Sequence, residues 1–311
     1  MKHDPVWHGT CFAMTIMYTR VSGTLQGARD PLAGCSMSFV SQAQITSPPL
    51  DPRAAVTQPR PRSHITIRGL TKRFARKTLY ENFDLDLPKG RITTVFGPNG
   101  CGKSTLINMI AGLLPIDSGQ ILFDGKELRD ITFGYVFQNY REALFPWMRA
   151  RDNIAYPLRI RGVSKAECNA RVEELASSFE IGFDLNLRPF NLSGGQQQLV
   201  SIMRALAPNP EVLFLDEPFS ALDYEMTLFI RDRLQAIFME TGITMIVVSH
   251  DLEEAVFIAD EVLLLSKPPT QVAEVIPVTT SRPRTDQTVS DPQFVAIKAE
   301  CLRIFQREVR R

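Results

Sequence analysis

The sequence contains no run of 18 or more apolar residues, although 44% of its 311 residues are hydrophobic. No segment therefore reads as a membrane-crossing helix. Closely spaced cysteines are also missing. Cys11, Cys35, Cys101, Cys168 and Cys301 are scattered, which argues against zinc-ligand spacing and against a disulfide framework. Reduced thiols in a cytosolic protein are the expectation. A large charge of one sign is absent too. The formal net charge is +1, so the broad basic field of a nucleic-acid binder is not there. There is no internal repeat and no long heptad insertion.

What is present is unevenly distributed. Residues 1–62 carry a net charge of +3 and the remainder −2. Those first residues are rich in Pro, Ser, Thr and Gln and show no hydrophobic period. A packed core is not expected from such composition. The expectation is a disordered extension or an over-extended start of translation, with a regulatory or targeting arm as the alternative. The apolar stretch 11–18 is short. It lacks a basic flank and a small-residue cleavage site, so it does not read as a signal peptide.

Regular patterning begins at Ile65. Ile65 and Ile67 alternate with polar residues, as do Phe83, Leu85 and Leu87. Half-buried strands read this way. Asp124-Gly125, inside 121–128, is a hairpin signal. Three continuous apolar runs, 92–96, 212–215 and 243–248, suit strands buried on both faces of a parallel sheet. Each precedes a loop and a helical pattern. The expected fold is α/β, a mostly parallel sheet wrapped by helices with an antiparallel part near its start. Residues 139–190 behave as an inserted helical subdomain. There Ser164 and Glu167 form a capping box, and Val172, Leu175 and Phe179 share one face. Asp291-Pro292 opens a C-terminal helix, with Phe294, Ile297, Cys301 and Phe305 at helical spacing. The domain limits expected are 63–278 for the main domain and 279–311 for a linker and helix.

Gly97-Pro98-Asn99-Gly100-Cys101-Gly102-Lys103-Ser104 matches the phosphate-loop pattern G-x-x-x-x-G-K-[ST] in full. A strand precedes it, and 105–114 reads as an apolar-faced helix. Glycines let backbone N–H groups turn inward around phosphate oxygens. The helix start adds partial positive charge. Lys103 is expected to reach the β- and γ-phosphates, and Ser104 to bind Mg²⁺. These residues, with Thr105, make an Mg-ATP site. Cys101 contributes its backbone rather than its thiol.

The apolar run ending at Leu215 leads into Asp216-Glu217. Carboxylates at the carboxyl edge of a parallel strand sit where ligands bind. Asp216 is the expected Mg²⁺ ligand and Glu217 the general base that polarises water. The next apolar run ends in Ser249-His250-Asp251. Asp251 suits a helix cap, and His250 suits a contact to the γ-phosphate.

Leu192-Ser193-Gly194-Gly195-Gln196 lies between the phosphate loop and the acidic strand, ahead of a helix over 196–207. This resembles the signature motif of ABC-type ATPases. The other motifs follow in family order. Phe74 matches the aromatic that stacks on adenine, Gln138 the Q-loop glutamine and Mg²⁺ contact, Ser220-Ala221-Leu222-Asp223 the D-loop, and His250 the switch histidine. The resemblance covers about residues 64–270. It implies a P-loop NTPase fold with an antiparallel β subdomain and an inserted helical subdomain. It also implies a head-to-tail dimer, in which Ser193, Gly194, Gly195 and Gln196 of one chain face the phosphate loop of the other. Gln197 and Leu199 depart from the arginines common in relatives.

Gln138 is followed by Asn139-Tyr140-Arg141-Glu142-Ala143-Leu144-Phe145-Pro146-Trp147, then Asp152-Asn153. This segment, with Ile276-Pro277 and Arg282-Pro283-Arg284, resembles the nitrate, sulfonate, taurine and bicarbonate importer ATPases. The resemblance implies a peripheral subunit on the cytoplasmic face of a membrane. Its partners would be transmembrane permease subunits, a second ATPase subunit and, indirectly, a solute-binding protein, with no nucleic acid. Phe145 and Trp147 are expected as exposed aromatics of the permease groove, or else as ordinary packing. Exporter ATPases, non-transport ABC proteins and a binding module without turnover are the rival readings.

Overall fold

The computed structural model describes residues 63–75 and 77–310. The expectation for 1–62 falls outside them, as do Cys11 and Cys35.

Two sheets organise the described residues. The first is antiparallel and three-stranded: β1 (Ser63–Phe74), β2 (Lys77–Pro88) and β4 (Ser118–Phe123), in the order β2-β1-β4. The alternating residues Ile65, Ile67, Phe83, Leu85 and Leu87 are all buried. The second sheet has the order β5-β6-β7-β3-β8-β9. Its strands are β3 (Ile92–Phe96), β5 (Phe133–Val136), β6 (Val212–Asp216), β7 (Thr244–Val248), β8 (Glu261–Leu265) and β9 (Val272–Pro277). The pairs β5·β6, β6·β7, β7·β3 and β3·β8 are parallel, and β8·β9 is antiparallel.

Both faces of the parallel strands are covered, which explains their unbroken apolar runs. Along β6, Leu213 and Leu215 join one buried cluster while Val212 and Phe214 join another. The first cluster includes residues of α3 (Ala150–Arg159), α4 (Lys165–Ser178), α5 (Gly194–Leu206) and α6 (Tyr224–Thr241). The second includes the antiparallel sheet and α1 (Lys103–Ile110). A third joins Phe96, Val262 and Leu264 to α7 (Leu252–Ile258) and α8 (Pro292–Arg310). The one-turn α2 (Tyr140–Ala143) precedes α3.

Local signals act as their chemistry predicts. Ser164 and Glu167 close a reciprocal capping box on α4, and Val172, Leu175 and Phe179 are buried. Asp251 caps α7 by accepting from the Glu254 amide. Other features differ from expectation. The helix after the phosphate loop runs 103–110 rather than 105–114. It ends where Gly112 takes φ +68° and the Leu113 amide reaches back to Asn108 O. The signature helix starts at Gly194, not Gln196, because Ser193 caps it. Asp124-Gly125 does form a tight turn, with both φ positive and Phe123 and Lys126 exchanging two backbone bonds. No paired strand continues it. Residues 128–130 go straight into a 3₁₀ turn.

Candidate nucleotide site

Parallel register places four motif-bearing loops on one sheet edge. Val95 of β3 pairs with Val248 of β7, Val248 with Asp216 of β6, and Leu215 with Val136 of β5. The strands end together. The phosphate loop, Asp216-Glu217, Ser249-His250 and Gln138 therefore emerge side by side at the carboxyl edge, where ligands of such sheets bind.

The phosphate loop is shaped by glycine at two decisive places. Gly102 has φ +98°, and a Cβ there would meet Leu79 and Tyr80 at 2.9 and 3.0 Å. Gly100 has φ +74°. Lys103 is buried and its Nζ donates to Gly97 O at 2.9 Å and Pro98 O at 3.4 Å. The ammonium is thus held over the loop by its own carbonyls. Cys101 is fully buried, and burial pushes its thiol pKa up. That keeps the thiol protonated and leaves the backbone as its contribution. Pro98 is buried and Asn99 exposed, while Thr105 is partly buried on the first turn of α1.

Two supports behind the loop were not foreseen. Tyr80 Oη donates to Gly102 O at 3.0 Å, and Thr270 Oγ1 donates to Cys101 O at 2.6 Å. Both side chains are fully buried. Nothing in the sequence around them, Thr78-Leu79-Tyr80-Glu81 and Pro269-Thr270-Gln271, signals this role.

Ser104 Oγ donates to Asp216 Oδ1 at 2.9 Å. The two expected metal ligands are therefore in contact. Burial raises the Asp216 pKa to about 6, against the lowering effect of the Ser104 bond. A desolvated carboxylate beside a hydroxyl is a hard-oxygen set short of positive charge, which suits Mg²⁺. Glu217 sits at φ +48°, a left-handed conformation uncommon outside glycine. Its Oε2 accepts from Gln138 Nε2 at 2.7 Å and lies 3.3 Å from His250 Nδ1. All three predicted catalytic side chains meet at one oxygen.

Other predicted residues lie elsewhere in the chain. Phe74 is half-exposed at the end of β1, with Lys72 Nζ 5.3 Å from its ring centroid. Strand pairing sets it close to Tyr80, since Lys72 pairs with Tyr80 and Phe74 with Lys77. Ser193 and Gln196 bond each other as a capping box. Gly194 and Gly195 open α5, where a Cβ on Gly195 would strike Met226 at 2.5 Å. The polar contacts of this motif are local, and it presents a capped helix start. Asp223 caps α6 by accepting from the Met226 amide at 2.8 Å, just after Ala221 at φ +61°.

One expectation is corrected. Phe145 is buried, not exposed. Asn153 explains this. It accepts from the Phe145 amide at 2.8 Å and donates to Phe145 O at 3.1 Å, drawing the segment inward. The ring then packs on Tyr156. Trp147 is 62% exposed, as expected. The departures beneath the signature are accommodated: Gln197 Nε2 donates to Pro189 O and Leu192 O, and Leu199 is buried in the core.

The ABC transporter family model matches residues 80–220. The taurine import ATP-binding protein TauB of Escherichia coli strain K12 is 38% identical over 255 residues, which is 78% of this chain and 98% of TauB. The chain belongs to the ABC transporter family. A second relative is the spermidine/putrescine import ATP-binding protein PotA of Pasteurella multocida strain Pm70. It is 40% identical over 208 residues, covering 65% of this chain and 56% of PotA. Among solved structures, a dimeric post-hydrolysis state of the ATP-binding cassette MJ0796 bound to ADP and Pi aligns with a TM-score of 0.62. It is 29% identical and covers 70% of this chain and all of that one. A second dimeric structure of MJ0796, a bacterial ABC transporter cassette, gives 0.63. The fold is that of ABC ATPase cassettes, and this ABC-family chain is an ATP-hydrolysing enzyme. No helix among the described residues is long and apolar enough to cross a membrane.

Proposed function

We propose that this ATPase energises import of a small anionic solute of the sulfonate, taurine or nitrate type. The supporting observation is the likeness to TauB along nearly all of TauB's length. The likeness to PotA is as high in identity but covers only 56% of that protein. The Leu144-Phe145-Pro146-Trp147 segment adds support. The chain works as a peripheral subunit on the cytoplasmic face of a membrane, on permease subunits fed by a solute-binding protein. Trp147, exposed beside the buried Phe145, is the side chain offered to a permease helix.

In this reading two copies pair head to tail; the MJ0796 cassettes it resembles are dimeric. Ser193 and the amides at the start of α5 then close over the γ-phosphate held by the partner's phosphate loop. Phe74 stacks on adenine, and Asp223 lies at the interface between the copies. Lys103 exchanges its two carbonyl acceptors for phosphate oxygens. Ser104, Asp216 and Gln138 would hold Mg²⁺, which when bound would supply positive charge against the phosphate oxygens. Glu217 takes a proton from the attacking water. Gln138 and His250 both engage Oε2, so Oε1 is the base. The exposed His250 also steadies the γ-phosphate.

Glu217→Gln is expected to bind ATP, to lose turnover at least about 100-fold and to accumulate as a dimer. Wild-type turnover in that variant would remove Glu217 as the base. The importer reading is tested by purification from detergent-solubilised membranes. A polytopic permease should accompany the chain, and its solute-binding protein should take taurine or another sulfonate over spermidine. Recovery without a permease, or preference for the polyamine, would overturn it.

A further inference from the structure

The segment after β9 holds a guanidinium to which, among the described residues, no carboxylate is hydrogen-bonded. Arg284 is 2% exposed. Its Nη1 donates to Phe257 O at 2.7 Å and Ala259 O at 2.6 Å, with Val256 O at 3.3 Å. Its Nη2 and Nε donate to Thr280 O at 3.0 and 3.3 Å. Burial lowers its pKa to about 10, so it stays charged at neutral pH. A buried charge hydrogen-bonded to carbonyls, with Asp260 the acidic group acting on it from further off, is costly. Here the carbonyls of Val256, Phe257 and Ala259 are those that the end of α7 leaves unpaired, and they carry the helix's negative pole.

The other end of α7 is the catalytic one. Asp251 caps it, and His250 stands immediately before the cap, 3.3 Å from Glu217. A seven-residue helix is only about 10 Å long, so tilting its carbonyl end displaces its start. The clamp is itself anchored. Gln235 of α6 bonds the Arg284 backbone twice, at 2.8 Å to N and 3.0 Å to O. Arg282 bonds Ile258 O and Asp260, whose other oxygen accepts from the Ile92 amide that opens β3. The end of the switch helix is thereby tied to the strand bearing the phosphate loop.

We infer that Arg284 is a positioning residue for ATP hydrolysis. It locks the carbonyl end of α7 and so holds His250 against Glu217. This rests on the reading of His250 as a participant in hydrolysis. A role in stability alone would lower activity by the same factor whether or not His250 is present. Action through His250 predicts that the loss disappears once His250 is gone.

The test measures kcat, KM for ATP and melting temperature on the full chain. The variants are Arg284→Met, Arg284→Lys, Gln235→Ala, His250→Ala and the double variant Arg284→Lys/His250→Ala. Arg284→Met should lower kcat about tenfold, and Arg284→Lys about threefold, with KM moved less than about twofold. The lysine substitution rescues in part because its ammonium still meets some of the carbonyls. Adding Arg284→Lys to His250→Ala should cost no further kcat. If the losses multiply in the double variant, Arg284 is a structural residue and the inference falls while the His250 reading stands. If His250→Ala hydrolyses ATP at the wild-type rate, both fall. Should Arg284→Met fail to fold, Arg284→Lys and Gln235→Ala, which keep the charge, carry the test.

Discussion

Asp216→Asn should stabilise the protein measured without nucleotide or Mg²⁺, even though it abolishes hydrolysis. Asp216 is 5% exposed, and burial raises its pKa from 3.8 to about 6. A tenfold change in proton affinity is worth about 1.4 kcal/mol, so the ionised carboxylate costs the fold about 3 kcal/mol. The direction follows from proton counting. Between about pH 4 and pH 6 the folded chain binds more protons at this site than the unfolded chain. Stability contributed by this group therefore falls as pH rises through that window and stays low above it. Asparagine removes the charge, and its amide oxygen can still accept from Ser104. Urea unfolding of both proteins at pH 5.0, 6.0, 7.0 and 8.0 reads the effect directly. The variant should gain about 2–3 kcal/mol at pH 8 and about half of that at pH 5. A variant that is equally stable or weaker at pH 8 would refute the account of Asp216 as a desolvated carboxylate awaiting a cation.

Lys103→Ala should weaken ATP binding itself, by at least about tenfold in Kd, because it removes the charge-assisted contact to phosphate; unchanged affinity in a titration would contradict the loop assignment. Gly134→Ala should destabilise the chain by about 2–4 kcal/mol, since the new Cβ would lie 2.3 Å from Ala205 O; a melting curve like that of the wild type would show that β5 and α5 can separate at little cost. Removing residues 1–60 should leave ATPase activity intact, and its loss would assign those residues a part in the enzyme.

The site was legible in the sequence wherever chemistry needs a fixed spacing along the chain. Lys103 and Ser104 follow their glycines, Glu217 follows Asp216, and a continuous apolar run before each marks a buried parallel strand. Once those strands are placed side by side, the meeting of Gln138, Glu217 and His250 follows from register. What escaped was set by contacts between distant segments. Phe145 reads as a surface aromatic until Asn153, eight residues on, takes both of its backbone groups. Arg284 enters the sequence reading only as part of Arg282-Pro283-Arg284, because nothing near it in sequence reveals the helix end that receives it. Tyr80 and Thr270 look like ordinary strand and loop residues, yet they hold the phosphate loop from behind. Asp124-Gly125 made its turn, but a turn signal says nothing of whether a strand will follow.

The position of β3 in the sheet bears on how the protein is made. Strand β3 carries the phosphate loop, and its two neighbours are β7 and β8, which begin at Thr244 and Glu261. A ribosome delivers the loop early and the strands that brace it late. Thr270, which fastens Cys101, arrives later still. Until then β3, every residue of which is buried in the finished fold, has two unpaired edges, the condition that invites aggregation or chaperone capture. A truncated product ending near residue 220 would contain every phosphate-loop residue and neither strand that holds them in place.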